Sequence, residues 1–80
     1  MEIYGYQKSG DDLLELKEMS LLCTIEELGK VIDFLEEVKK THTMVRDKTD
    51  ICHSHYRDWN LQWKKGEPDI IIVTQNNLER

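Results

Sequence analysis

The segment that most limits the possible folds of this 80-residue chain begins at Thr24. Residues 24–27 (Thr-Ile-Glu-Glu) have the form of a capping box, in which the Thr24 hydroxyl accepts from the Glu27 amide and the Glu27 carboxylate accepts from the Thr24 amide. At about 100° per residue, the apolar side chains that follow share one half of the helical wheel, and the charged ones share the other. The sequence therefore predicts an amphipathic helix that begins at Ile25 and frays near residues 41–43, with one face packed and one face in water.

Two strands are expected before this helix. Residues 2–7 have the pattern of a short strand with aromatic side chains, and residues 8–12 combine Gly and Asp with polar neighbours, as turns do. Residues 13–23 predict a second strand. Its apolar positions change parity midway, which a bulge near Lys17 and Glu18 would explain.

Two more strands are expected after the helix. Residues 43–50 show little periodicity and predict a polar loop, whereas residues 51–59 alternate and predict a third strand with one face partly open. Residues 64–69 carry a strong turn signal. Residues 70–74 form a β-branched run, typical of a strand buried on both faces, and the polar residues 75–80 predict a flexible tail.

This order of elements predicts one small α+β domain over residues 1–80, with a mostly antiparallel four-stranded sheet and one long helix on one face. One helix covers only one side of such a sheet, yet residues 70–73 point apolar side chains both ways. Trp59, Leu61 and Trp63 add further apolar surface nearby. We therefore expect a homodimer contact on the uncovered side, or residues 59–63 folding back over it.

Charge is divided unevenly along the chain, whose formal net charge is −5. Residues 1–40 carry ten acidic and five basic side chains, whereas residues 41–80 carry six of each. Nucleic-acid binding is disfavoured because the basic residues form no cluster beyond the pairs at 39–40 and 64–65. An acidic surface would instead attract a basic partner.

The sequence shows no apolar run long enough to cross a bilayer and no basic-then-apolar amino-terminal segment, so a cytoplasmic protein without membrane contact is expected. In that compartment Cys23 and Cys52 are expected to be reduced thiols rather than a disulfide. We expect Cys23 to lie in the core.

His53 and His55 are the residues most suggestive of a metal site. Residues two apart on a strand share a face, so both imidazoles could meet one metal ion, with Cys52, Asp58 or His42 as further ligands. Strand geometry gives only His53 and His55 a common direction, and a closed zinc site needs four ligands. We therefore expect no metal or cofactor and favour local hydrogen bonding of the two histidines, with a small metal-binding protein as the alternative.

Nothing in the sequence predicts catalysis. Cys52 and His53 are adjacent and would point to opposite faces of a strand, which does not suit a nucleophile and its base. The acidic pairs at 11–12, 26–27 and 36–37 are typical of a turn, a helix cap and a solvated helix face. The chain also lacks a phosphate loop, a Gly-rich fingerprint and a serine-nucleophile elbow.

Three segments together resemble the immunity protein 32 family: residues 24–38, residues 53–59 (His-Ser-His-Tyr-Arg-Asp-Trp) and residues 66–73 (Gly-Glu-Pro-Asp-Ile-Ile-Ile-Val). The resemblance covers most of the chain from about Leu14 to Val73. It implies a small α+β protein of bacterial polymorphic-toxin loci that is not an enzyme and that binds and neutralises a cognate toxin domain. It supplies no toxin-contacting residues.

Two candidate partner-binding surfaces follow from the residues themselves. Carboxylates on the exposed helix face would speed association with a basic toxin, such as a nuclease, through complementary fields. Aromatic and Arg side chains near the third strand are the types that dominate interface energetics. The candidate residues are Glu26, Asp33, Glu36 and Glu37 on the helix and His55, Arg57, Trp59 and Trp63 beyond it. A dimeric interaction module with another partner stays open as a further alternative.

Overall fold

The computed structural model describes residues 1–76 of the chain. It has the α+β composition expected from the sequence, with one long helix between two pairs of strands. In chain order the elements are β1 (Ile3–Gly5), β2 (Leu14–Leu16), α1 (Ile25–Val45), β3 (Ile51–His55), the single helical turn α2 (Tyr56–Trp59) and β4 (Ile71–Gln75).

The strands form two separate antiparallel pairs, and not the single four-stranded sheet that the sequence predicted. β1 pairs with β2 through Ile3 opposite Leu16, and β3 pairs with β4 through His53 opposite Val73. The predicted second strand over residues 13–23 is too long, because β2 ends at Leu16 before the polar residues Lys17 and Glu18. Pairs this short leave a groove between the β1–β2 hairpin and β4.

Helix α1 begins where the capping box predicts. The Glu27 amide donates to Thr24 Oγ1 over 3.1 Å, and the Thr24 amide donates to Glu27 Oε1 over 2.8 Å. Its end was predicted too early, since the helix runs on to Val45. Within its last turns the Thr43 hydroxyl donates to the Lys39 carbonyl over 2.6 Å, a bond that Thr rotamers allow in a helix. The predicted loop over residues 43–50 is therefore shorter at its start.

The buried core is a stripe on α1 at a spacing of four residues, formed by Phe34, Val38 and His42. The Phe34 ring meets Tyr56 edge-on at 5.3 Å between centroids and lies tilted against Trp59 at 5.7 Å. Sequence periodicity predicted a wider packed face. The remaining large apolar side chains of the predicted half are half-buried or exposed.

β3 ends at His55, so the predicted strand over residues 51–59 is wrong in its second half. The carboxylate of Asp69 ends the strand, because its Oδ1 accepts from the Arg57 amide over 2.9 Å. The Tyr56 amide still donates to the Ile70 carbonyl, over 2.8 Å. The next four residues close a helical turn, in which the Asn60 amide donates to the Tyr56 carbonyl over 2.8 Å.

The turn over residues 64–69 is confirmed. Gly66 adopts φ 97°, a left-handed conformation that glycine reaches without steric cost, and the Glu67 amide donates to the Lys64 carbonyl over 3.0 Å. The predicted tail began too early, since Gln75 belongs to β4 and the Asn76 side chain donates to the Thr49 carbonyl over 3.1 Å. The rest of that tail, residues 77–80, lies outside the described residues.

The chain is more open than its length predicts. Its radius of gyration is 13.8 Å, against about 11.6 Å for a compact domain of this size. Its accessible surface is 7364 Å², against about 5,000 Å² for a folded monomer of this mass. Much apolar surface is therefore left exposed by the described residues.

Candidate functional site

The surface of α1 outside the core stripe divides into two sectors. The first, here called the outer apolar stripe, consists of Ile25, Leu28, Ile32 and Leu35, which are exposed by 40 to 80%. Their spacing of three, four and three residues is the spacing of a helix that packs lengthwise against another helix. No other element within residues 1–76 covers this stripe.

The second sector, here called the acidic sector, lies beside the outer apolar stripe and holds the four predicted helix residues. They are Glu26, Asp33, Glu36 and Glu37, all of them exposed. None forms an ion pair with a side chain among the described residues. Lys30, which interrupts the sector, is engaged by the Gln62 side chain. The structure therefore brings the predicted carboxylates onto one face, where Lys30 and Lys40, four residues after Glu26 and Glu36, offset part of their charge.

His55 and Arg57 come together around Asp69, a residue for which the sequence predicts only a place in a turn. Asp69 Oδ2 lies 2.7 Å from His55 Nδ1 and 3.9 Å from Arg57 Nε. Arg57 Nε also lies 3.7 Å from the Asp58 carboxylate. The signal that would have found this cluster is an Asp directly before a β-branched strand, placed to cap the turn at the neighbouring strand's end.

The environment of Asp69 keeps its carboxylate ionised. Partial burial by itself raises the pKa of Asp69, but the hydrogen bonds from His55 and from the backbone amides of Arg57 and Ile70 outweigh it, so that the pKa lies below the ordinary 3.8. The cluster thus holds a negative charge beside the His55 ring at neutral pH. Its role in the fold is to fix the end of β3.

Trp59 and Trp63 are each half-buried and sit in different surroundings. The Trp59 ring stacks on Tyr56 at 5.9 Å between centroids and also contacts Phe34, so much of its area serves the core. Trp63 Nε1 donates to the Pro68 carbonyl over 2.9 Å. Residues 59–63 contact α1, since Trp59 meets Phe34 and Gln62 bonds to Lys30. They do not cover Ile51, Ile71 and Val73 of the β3–β4 pair, which stay exposed.

A cavity of about 350 Å³ opens between α1 and the end of β3. Glu37 lines it from the acidic sector, His53 and His55 line it from β3, and Trp59 closes it from α2. The two predicted binding surfaces therefore meet at this cavity. Glu37 is the member of the acidic sector that shares this cavity with His55 and Trp59.

Of the two strand histidines, His55 bonds to Asp69, whereas His53 contacts the His55 ring. The His53 and His55 rings meet edge-on at 5.7 Å between centroids, and no group of three or more His, Cys, Asp or Glu side chains able to hold a metal occurs within residues 1–76. His42, considered as a further ligand, is occupied at both ring nitrogens: Nδ1 lies 2.7 Å from Thr74 Oγ1 and Nε2 lies 2.8 Å from Ser54 Oγ.

His42 is the one buried polar side chain of the core stripe. Burial lowers its pKa below the ordinary 6.5, and the nearby His53 acts in the same direction. The ring is therefore neutral at pH 7, with one nitrogen donating and the other accepting. It ties α1 to both strands of the β3–β4 pair.

Cys23 and Cys52 form no disulfide in the structure. Cys23 is exposed and does not lie in the core, so the prediction for Cys23 is wrong. The reason is that the chain leaves β2 at Leu16, so that residues 17–24 run along the surface toward the helix cap. Cys52 is half-buried in β3.

Within residues 1–76, no helix has the length and apolarity needed to cross a membrane. Comparison of the chain with protein-family models, with curated proteins and with solved structures finds no match.

Proposed function

We propose that this protein is a non-enzymatic immunity protein that binds and neutralises a cognate bacterial toxin domain in the cytoplasm. The observation that carries the proposal is the pairing of two surfaces on α1: the outer apolar stripe lies exposed directly beside the unpaired acidic sector. An exposed apolar strip rimmed by polar and charged side chains is the typical form of a protein-binding surface.

The outer apolar stripe supplies affinity. Covering the exposed parts of its four side chains would contribute roughly 1 to 2 kcal/mol each, at about 25 cal/mol per Å² of apolar surface. Its spacing favours a helix of the partner as the element that covers it. The acidic sector supplies selectivity, because carboxylates attract a basic surface and repel an acidic one.

The resemblance to the immunity protein 32 family contributes the class of partner. Toxins that act on nucleic acids carry basic surfaces to bind phosphate, and an acidic inhibitor matches such a surface in sign. A basic nuclease domain is therefore the partner that suits both the charge of α1 and the family resemblance.

The test is co-purification with the protein encoded by the adjacent reading frame, followed by charge reversal. We expect the double variant Glu36→Lys with Glu37→Lys to weaken the complex by about tenfold or more at low salt, because it inverts half of the acidic sector. The matched control is Asp11→Lys with Asp12→Lys, the same charge change in the turn between β1 and β2. Equal binding of the two double variants would exclude the acidic sector as the contact.

The surface around His55, Arg57 and Trp59 is the second candidate for the same contact, since it meets the acidic sector at the cavity. Arg57→Glu tests it, because Arg57 is exposed and its side chain projects from α2. Lys65→Glu is the matched control in the exposed turn. A loss of binding in Arg57→Glu alone would indicate that the partner contacts this surface. A loss both in Arg57→Glu and in the Glu36→Lys, Glu37→Lys double variant would indicate that the partner contacts both sides of the cavity.

A further inference from the structure

Strand β4 has a free edge. The Asn76 amide donates to the Asp50 carbonyl and the Tyr56 amide donates to the Ile70 carbonyl, so the hydrogen-bonded pairs of the β3–β4 ladder are even-numbered. The backbone N–H and C=O groups of the odd-numbered residues, Ile71, Val73 and Gln75, consequently point away from β3. They have no backbone partner within residues 1–76.

One face of the β3–β4 pair, here called the open face, lies opposite Ser54 and Thr74, the residues that bond to His42 of α1. It carries no Asp, Glu, Lys or Arg, and its two histidines also reach the cavity beside α1 at the end of β3. It consists of Ile51, His53, His55, Ile71, Val73 and Gln75. The three aliphatic side chains are exposed by 50 to 60%. An apolar strand with a free edge is a site that proteins cover, because it otherwise pairs with other chains without control.

The excess surface of the whole molecule, to which the open face and the outer apolar stripe both contribute, is large enough to include a dimer interface. The accessible surface exceeds that of a compact monomer by more than about 2,000 Å². Residues 77–80 could account for at most about 750 Å² of this excess even as an extended chain. About 1,500 Å² therefore remains for each copy, whereas a stable interface takes roughly 800 Å² from each partner, and obligate dimers take more.

Electrostatic repulsion favours the open face over the acidic sector as the contact between two copies. Two acidic sectors brought together would repel, since each carries four carboxylates that form no ion pair within residues 1–76. The open face brings no like charges together. Beside β4, the groove of about 1,050 Å³ toward the β1–β2 hairpin leaves space for an additional strand along the free edge.

We propose that two copies of this chain form a dimer through β4, which pairs antiparallel with β4 of the second copy about a twofold axis at Val73. Ile71 of each copy then lies opposite Gln75 of the other, and the two open faces join into one. The two strand pairs become a single four-stranded antiparallel sheet shared between the copies, with an α1 helix from each copy on its covered side. The acidic sectors stay free for another partner.

Sedimentation equilibrium of the full chain tests the association. We expect a species of twice the 9.5 kDa chain mass at micromolar concentration. Val73→Lys should raise the dimer dissociation constant roughly 100-fold or more, because two ammonium groups would face each other across the axis. Val73 is 60% exposed, so the free chain tolerates the change, and circular dichroism checks that it still folds. Leu61→Lys, at a residue 96% exposed outside the open face, should leave the constant unchanged.

Cross-linking tests the register. In a Cys23→Ser background, Val73→Cys should form an intermolecular disulfide on mild oxidation, because hydrogen-bonded pairs in antiparallel strands place Cα atoms about 5.5 Å apart, within disulfide range. Leu61→Cys in the same background should cross-link at least about tenfold more slowly. A monomer at 100 μM, or a dimer that Val73→Lys leaves intact, would overturn the proposal. Equal cross-linking of the two cysteine variants would overturn the twofold axis at Val73.

Discussion

Replacing His42 by Ala probes the link between α1 and the β3–β4 pair. The ring is 5% exposed and makes two hydrogen bonds, to Ser54 and Thr74, each worth about 1 kcal/mol net. Truncation also removes buried packing and leaves a cavity, which costs roughly 1 to 2 kcal/mol more. We expect a loss of about 3 kcal/mol, a large share of the roughly 4 to 12 kcal/mol available to a domain of this size.

The same residue sets a pH dependence with a defined sign. Because burial and then His53 lower the pKa of His42 in the folded chain, the unfolded chain binds the proton first as the pH falls below about 6.5. The stability contributed by the neutral ring is complete above that pH and is lost as the pH falls toward the lowered pKa. His42→Ala has no such proton to bind, so the stability gap between the two proteins should narrow with acidification.

Urea unfolding followed by tryptophan fluorescence measures both effects, at pH 7.5 and at intervals down to pH 5. The control is Thr41→Ala, an exposed position one residue earlier in α1, which should change the free energy of unfolding by no more than about 0.5 kcal/mol. A loss below about 1 kcal/mol for His42→Ala at pH 7.5, or a gap that widens as the pH falls, would refute the assignment of His42 as a neutral buried bridge.

Three further changes test other contacts by the same urea assay. Thr24→Ala should cost about 1 kcal/mol and lower helicity, because it removes the Oγ1 acceptor of the capping box; an unchanged midpoint would contradict this. Asp69→Ala should cost roughly 2 to 4 kcal/mol at pH 7, since three donors lose their acceptor, and the difference from wild type should shrink as the pH falls below the ordinary carboxyl pKa of 3.8; a difference independent of pH would argue against an ionised Asp69. Gly29→Ala should stabilise the free chain by about 1 kcal/mol, because an added Cβ meets nothing within 4 Å and Ala favours the helix; destabilisation would reveal packing above this position.

The helix start was predictable because its causes lie close together in the sequence. Thr24 and Glu27 are three residues apart, and their reciprocal hydrogen bonds form irrespective of the rest of the fold. The turn around Gly66 was predictable for the same reason. The acidic sector also followed from periodicity alone, since side chains three and four residues apart share a helix face.

The features that the sequence did not predict depend on contacts between distant residues. β3 stops at His55 because the carboxylate of Asp69, fourteen residues later, holds the turn that follows. His42 is buried because Ser54 and Thr74 form hydrogen bonds with both of its ring nitrogens. Both partners are distant in the sequence, so no local pattern predicts these bonds. The narrow core likewise depends on where α2 places Tyr56 and Trp59 against Phe34.

Within residues 1–76 only three side chains are buried, and this small core makes the abundance of the protein depend on what binds it. Any molecule that binds the folded chain, but not the unfolded one, adds about 2.7 kcal/mol of stability when present at 100 times its dissociation constant. Proteases degrade the unfolded form, and this added stability lowers the population of that form about 100-fold. The lifetime of this chain in a cell would therefore follow the supply of whatever covers it, and synthesis in excess of that supply would be cleared by turnover.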